Sequence, residues 1–118
     1  MTNMNKYVTI WLHMRKHTAS YDAISDETRR KILDMLRGQT LTAGDIALRF
    51  RQISRPAVSK HLAILRRSKL VVSRKAGRER RYSLNAEPLR EVNTWLRQYE
   101  IFWGRQLESF KTYVETHP

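Results

Sequence analysis

Residues 42–67, with the sequence TAGDIALRFRQISRPAVSKHLAILRR, contain the pattern that decides the fold of this chain. The stretch divides into two short segments of helical periodicity, 42–50 and 54–67, joined by a tight turn. Thr42 and Ser54 stand at the start of these segments, where a short hydroxyl side chain can cap the first turn of a helix. Two short helices joined by a tight turn are typical of a helix-turn-helix motif.

The second helix of this motif is predicted to have one buried and one exposed side. Val58, Leu62 and Leu65 recur at steps of four and three residues and define the buried stripe. The opposite side presents short polar and basic groups, and a helix of about 14 residues fits a major groove roughly 12 Å wide. This pattern predicts contact with DNA. The residues predicted to read bases are Arg55, Ser59 and Lys60, and those predicted to shape the approach are Ser54, Pro56, Ala57 and His61.

A basic hairpin is predicted directly after the motif, which makes the helix-turn-helix a winged one. Residues 70–76 and 80–84 are rich in strand formers, and residues 77–79 between them suit a hairpin tip. Its cations can reach backbone phosphates, and Arg78 at the tip can reach the minor groove. The predicted inward-facing positions are Val72, Tyr82 and Leu84. The predicted wing contacts are Arg74, Lys75, Arg78, Arg80 and Arg81.

The charge of the chain is concentrated in the same region. The net charge is +12, and residues 49–82 hold twelve basic residues and one acidic residue, a net charge of +11. Because each neutralised phosphate releases counterions, a polyanion is the natural partner of such a segment. Double-stranded DNA is therefore the predicted partner.

Residues 1–38 precede the motif. Residues 21–38 are predicted to be a helix that Ser25 or Asp26 can cap and that Gly38 ends. Residues 1–20 form an N-terminal extension, for which helical spacing of apolar residues competes with a run of strand formers at 7–11. We prefer the helical interpretation of this extension and assign residues 21–84 to a DNA-binding core.

The C-terminal residues are predicted to form one long helix from Asn85 or Ala86 to about Thr116, with Gly104 as its only weak point. Its apolar residues recur at steps of three, four and seven, as in a coiled-coil seam, and a second apolar row widens the arc. One small domain cannot cover both rows, so residues 85–118 are predicted to be a dimerisation helix. The predicted interface residues are Val92, Trp95, Leu96, Tyr99, Phe102, Trp103 and Phe110.

Four stretches resemble the ArsR-type winged-helix repressors, and within them the branch of SdpR-like autorepressors. They are AISDETRRKIL (23–33), LTAGDIA (41–47), ISRPAVSKHL (53–62) and GRERRYSLN (77–85). The resemblance covers about residues 21–116. It implies a mainly α fold with a small β-hairpin, in which a three-helix core carries a wing. It also implies a homodimer that binds an inverted repeat through its recognition helices and dimerises through its terminal helices.

Several other kinds of site are excluded or disfavoured. The chain has no cysteine, so it has neither disulfides nor thiolate metal sites. Many ArsR-type sensors carry metal-binding cysteines where this chain has residues 42–45, and its last helix lacks a pair of histidines. His13 and His17 have a spacing that can grip a metal, but no third ligand is evident. We therefore predict no metal and no cofactor.

Two functions remain open from the sequence. The preferred one is a DNA-binding transcriptional repressor, and the alternative is a protein-interaction module that kept the fold without operator specificity. An enzyme is not expected, because Ser54 and Ser59 have no nearby His–Asp pair. No apolar run approaches the roughly 18–20 residues of a membrane span. A cytoplasmic location without membrane contact is expected.

Overall fold

The computed structural model describes residues 19–117, apart from the side chain of residue 107. The helical prediction for the N-terminal extension and the pair His13 and His17 therefore lie outside the described residues, except for residues 19 and 20. The helices are α1 (19–24), α2 (Glu27–Met35), α3 (Ala43–Leu48), α4 (Arg55–Arg67), α5 (Leu89–Arg97) and α6 (Glu100–Thr116). The strands are β1 (Leu41–Thr42), β2 (Val71–Ala76) and β3 (Glu79–Leu84). The predicted class, mainly α with a small β-hairpin wing, is confirmed.

The region predicted as one helix over 21–38 consists of two helices, so that prediction is wrong in its continuity. Asp26 adopts an extended conformation between α1 and α2, and its side chain accepts a hydrogen bond from the Arg29 N–H at 3.0 Å. A residue that caps a helix cannot also continue the preceding one. The predicted stop is confirmed, because Gly38 has φ +80° just after α2.

Helices α3 and α4 form the predicted helix-turn-helix. Thr42 and Asp45 form a reciprocal capping box, with both hydrogen bonds at 3.1 Å. Ser54 caps α4 by accepting a hydrogen bond from the Ala57 N–H at 3.3 Å. Both predicted caps are confirmed. The buried side of α4 consists of Val58, Leu62 and Leu65, as predicted.

The wing belongs to a three-stranded antiparallel sheet with the order β1-β3-β2. Strand β1 was not predicted, because two residues carry no detectable alternation. It pairs Leu41 with Tyr82 and Thr42 with Arg81, next to the first turn of α3. The sheet thus attaches the base of the wing to the helix-turn-helix.

The predicted inward position of Val72 is wrong. Val72 is 43% exposed, whereas Val71 is 1% exposed and packs in the core. The register pairs Val71 with Leu84, so these two residues share the inner face and Val72 lies on the outer one. With two adjacent valines, the sequence does not show which of the two faces the core. Tyr82 and Leu84 are half-buried against the core, as predicted.

The core lies between α1, α2, α3, α4 and the base of the wing. It is made of aliphatic side chains from each of these elements, so burial of apolar surface holds the recognition helix and the wing in one body. The fully buried large side chains are Ile32, Leu36, Ile46, Val58, Leu62, Leu65, Leu70 and Val71.

The prediction of a single long C-terminal helix is also wrong. The helical residues begin at Leu89 and divide at Gln98 and Tyr99, not at Gly104. Here the N–H groups of Gln98 and Tyr99 donate to carbonyls three residues back, at 3.2 and 2.9 Å. The Tyr99 ring packs against Trp95 at 5.3 Å between centroids. Leu96, Arg97, Gln98 and Glu100 all favour a helix, so the helix propensities of these residues do not predict the turn, and neither glycine nor proline lies at it.

Candidate nucleic-acid interface

The outer face of α4, the recognition helix, is open along its first two turns. Ser59 and Lys60 are exposed on the side opposite the buried stripe, and Arg55 and Pro56 are exposed at its start. Ala57 is half-buried. The Ser54 hydroxyl oxygen is engaged as the helix cap, which makes its position structural as well as exposed. The predicted base readers and approach residues, apart from His61, therefore share one accessible end of the helix.

Arg55 is the first residue of α4, and its side chain lies on the side of the helix that faces the wing tip. Its guanidinium carbon is 3.7 Å from the position that a Cβ on Gly44 would occupy, so the side chain extends over α3. An open groove of about 640 Å³ separates α3 from the wing tip, and Arg55, Arg78 and Arg80 line it. Asp45 and Glu79 line the groove as well, so three guanidinium groups stand there beside two carboxylates. The excess positive charge favours an anion such as a phosphate, which Arg can bind in a bidentate manner.

The wing holds its cations in opposed pairs. Arg74 faces Arg81 across the two strands, and Lys75 faces Arg80. Like charges directly opposite each other destabilise a sheet, so this arrangement is unfavourable until an anion neutralises it. Because alternate residues point to opposite faces, Lys75 and Arg80 extend the inner face while Arg74 and Arg81 lie on the outer one. Arg80 also donates to the Ser73 hydroxyl at 3.3 Å.

The tip of the wing is a two-residue turn. Gly77 has φ +66°, a conformation that side chains with a Cβ rarely adopt, and Arg78 follows it in an exposed position. The turn therefore presents Arg78 at the far end of the hairpin. This is the position predicted for minor-groove contact.

His61 differs from the other predicted contacts of the recognition helix. Its side chain is only 23% exposed. Its Nδ1 lies 3.4 Å from Nη1 of Arg29 and 3.9 Å from Oδ2 of Asp26, so it faces α2. No role was predicted for Arg29, and its only signal in the sequence is an arginine three residues after a capping aspartate.

Two capping carboxylates have lowered pKa values. The hydrogen bond from the backbone N–H of Arg29 lowers the pKa of Asp26 below its ordinary value, and nearby Arg29 and His61 add to the effect. The backbone and side chain of Thr42 lower the pKa of Asp45 in the same way. Both groups stabilise the ends of helices in their ionised form.

A second surface of interest is apolar and lies on α5 and α6. Tyr99, Phe102 and Trp103 are exposed together here, and Trp95 contacts Tyr21 of α1 edge-on at 5.8 Å. The predicted interface residue Val92 is half-buried within the chain. The other large apolar side chains exposed along this surface are Leu96, Ile101, Phe110, Tyr113 and Val114. So many large apolar side chains exposed on two successive helices point to a site of association.

Two further kinds of site are absent from residues 19–117. His, Asp and Glu side chains in this part of the chain do not gather in groups of three that could hold a metal ion. None of the helices described has the length and apolar content that crossing a bilayer requires.

Comparisons with known proteins agree with this geometry. A family model described as a helix-turn-helix domain matches residues 24–74. The chain is 46% identical to the transcriptional repressor SdpR of Bacillus subtilis (strain 168) over 76 residues, which cover 64% of this chain and 83% of SdpR. It is 35% identical to the HTH-type transcriptional regulator Rv2034 of Mycobacterium tuberculosis (strain ATCC 25618 / H37Rv), covering 86% of this chain and 92% of that relative.

Solved structures are similar as well. An ArsR-like transcriptional regulator from Rhodococcus sp. RHA1 superposes with a TM-score of 0.66 at 34% identity, covering 88% of this chain and 94% of the other. A fold with an open recognition helix and a basic wing defines the winged helix-turn-helix class of DNA-binding regulators. This chain belongs to the ArsR family of that class. Its relatives are named as transcriptional regulators and not as enzymes.

Proposed function

We propose that this DNA-binding regulator acts as a homodimeric repressor that binds an inverted-repeat operator. The observation that carries the proposal is the joint exposure of Ser59 and Lys60 on the recognition helix beside the paired cations of the wing. Two such helices related by a two-fold axis would enter successive major grooves about 34 Å apart. Repression would follow from covering the promoter.

The proposed contacts divide into two chemical classes. Arg55, Ser59 and Lys60 read base edges, with Ser54, Pro56, Ala57 and His61 shaping the approach. Arg74, Lys75, Arg78, Arg80 and Arg81 contact phosphates, or the minor groove in the case of Arg78. The like charges of Arg74 opposite Arg81 and of Lys75 opposite Arg80 support this assignment, because phosphate neutralisation relieves the repulsion within each pair.

The proposed dimer uses the apolar surface of α5 and α6. Its proposed contacts are Val92, Trp95, Leu96, Tyr99, Phe102, Trp103 and Phe110. Aromatic side chains are enriched in interface cores, and those of this surface stand beside α1 through the Tyr21–Trp95 contact. Residues 21–84 then serve as the DNA-binding core and residues 85–118 as the dimerisation region. A chromosomal target implies action in the cytoplasm.

A mobility-shift assay with the DNA upstream of the gene for this chain tests the proposal. We expect binding about a thousandfold or more tighter to this duplex than to a scrambled duplex of the same composition. Footprinting should reveal two protected half-sites about one helical turn apart. Equal and weak binding to both duplexes would instead support a protein-interaction module that retains only nonspecific attraction for DNA.

A further inference from the structure

Arg29 of α2 contacts both α1 and the recognition helix. Its Nε donates to the Ala23 carbonyl at 2.7 Å and its Nη2 donates to the Asp22 carbonyl at 2.9 Å. Its third nitrogen, Nη1, lies 3.4 Å from Nδ1 of His61 on α4. One planar guanidinium therefore joins the last turn of α1 to the middle of the recognition helix. Arg suits this role because its donors have a fixed fork geometry.

The link continues from α1 to the apolar surface. Tyr21, adjacent to Asp22, donates from its hydroxyl to the Glu91 carbonyl on α5 at 3.4 Å. Its ring also packs edge-on against Trp95. The path thus runs from the recognition helix through Arg29 and Tyr21 to a residue of the proposed dimer interface.

His61 is the end of this path on the recognition helix. It follows Lys60 directly, so a rotation of α4 at His61 also moves Lys60, which is proposed to read bases. Its half-buried ring lies beside Asp26 as well as Arg29, and the Asp26 carboxylate is itself held by the Arg29 backbone N–H. Three groups from α2 and α4 therefore hold one another in place at this point.

We propose that Arg29 and His61 are positioning residues that set the orientation of the recognition helix relative to the dimer surface. This inference rests on the proposed homodimer. In a two-fold symmetric regulator, that orientation fixes the distance between the two recognition helices and so the half-site spacing that the protein accepts. Loss of the link leaves α4 packed through its apolar stripe but freer to rotate.

Distances between spin labels test the inference without knowledge of the operator. The chain has no cysteine, so Ala63→Cys provides a single labelling site on the exposed side of α4 in each subunit. Double electron–electron resonance on the chain of residues 1–118 then reports the separation of the two recognition helices. We expect a narrow distribution in the labelled parent. Both His61→Ala and Arg29→Lys should broaden the distance distribution or shift it by about 2 Å, the upper end of helix shifts at subunit interfaces.

The controls separate positioning from general stability. His61→Asn keeps a hydrogen-bond acceptor near the position of Nδ1 and should give a narrower distance distribution than His61→Ala. Lys31→Ala removes a cation of α2 that forms an exposed ion pair with Glu27, and it should leave the distance distribution unchanged. Urea unfolding of each variant identifies any variant that fails to fold. If His61→Ala fails to fold, Arg29→Lys alone tests the inference. If His61→Ala and Arg29→Lys are folded and dimeric but have the same distance distribution as the labelled parent, the inference is wrong while the proposed dimer stands. Absence of dipolar coupling in the labelled parent would overturn the dimer, and the inference with it.

Discussion

Lys60 and Arg78 each present one positive charge to the proposed DNA surface, but on different elements. Lys60 lies on the exposed face of the recognition helix, and Arg78 lies at the tip of the wing. A cation in the major groove can distinguish base edges, whereas a cation beside the backbone cannot. The two residues should therefore differ in how their loss affects binding.

Replacement of Lys60 should change which operators the protein prefers. Lys60→Ala removes a donor that can reach base edges. We expect it to weaken the free energy of binding by about 1–3 kcal/mol at the preferred operator, and by less at operators that differ from it at one base pair. Competition binding against a panel of duplexes with single base-pair changes measures this preference. Uniform weakening across the panel would reassign Lys60 to phosphate contact.

Replacement of Arg78 should change the salt dependence of binding. Arg78→Ala is expected to reduce the slope of log affinity against log salt by about one unit per subunit while the sequence preference stays the same. Titrations at several salt concentrations measure the slope. Lys111→Ala, which removes an exposed cation from α6, is the matched control and should leave the slope as it is. A slope that Arg78→Ala does not alter would contradict the wing contact.

The two capping carboxylates make stability sensitive to acid. The pKa of Asp26 is lowered in the folded protein, so the unfolded chain binds the proton more readily. The stabilisation is therefore complete above the ordinary carboxyl pKa and is lost as the pH falls through the lowered pKa. Asp26→Asn keeps a capping oxygen but does not titrate, so its urea midpoint should decline less than that of the native protein between about pH 5 and pH 2. Parallel declines would argue against a role for Asp26 in acid sensitivity.

At the level of elements, the helix-turn-helix followed directly from local signals. Thr42 and Ser54 both act as the caps that the sequence predicts, and the buried stripe of α4 repeats with the helical period. The break at Gln98 and Tyr99 had no such signal: neither glycine nor proline lies there, and the Trp95 ring beside it packs against Tyr21, which is distant in sequence. The same holds for β1, whose two residues are identified as a strand only by their pairing with β3.

The contacts around His61 show the corresponding limit for the site. The sequence predicted that His61 shapes the approach to DNA, but its partners Arg29 and Asp26 lie on α2 and at the start of α2. A residue's partner across two helices is set by their crossing, which a single sequence does not reveal. The exposed positions Ser59 and Lys60 were predictable because they depend only on the helical period.

The end of α2 depends on one residue with a left-handed backbone. Gly38 has φ +80° and open space where a Cβ would lie, so the cost of a side chain there is conformational rather than steric. Gly38→Ala should lower the free energy of unfolding by about 1 kcal/mol. Gly38→Asn should cost less, because Asn tolerates this conformation. Urea denaturation of both variants tests the order, and equal stabilities for native and Ala proteins would contradict it.

At the scale of the whole molecule, the apolar surface of α5 and α6 should determine the oligomeric state. Phe102 is 62% exposed in the single chain, and Phe102→Glu would place a charge within the proposed interface. We expect this variant to sediment as a monomer and to lose the cooperative binding of two half-sites. Val72→Glu places the same charge at an exposed apolar residue of the wing and should remain dimeric. A dimeric Phe102→Glu protein would move the interface elsewhere.

The sheet has one further consequence, which follows from its unequal strands. Strand β1 supports β3 only at Tyr82 and Arg81, whereas β2 and β3 continue together to Ala76 and Glu79. The hairpin is therefore held by a third strand only at its base, and its outer part consists of two strands alone. We expect its outer part to bend to follow minor grooves of different widths while the recognition helix stays fixed. Base-pair changes in the DNA that flanks the operator should then reduce the binding affinity less than changes within the operator.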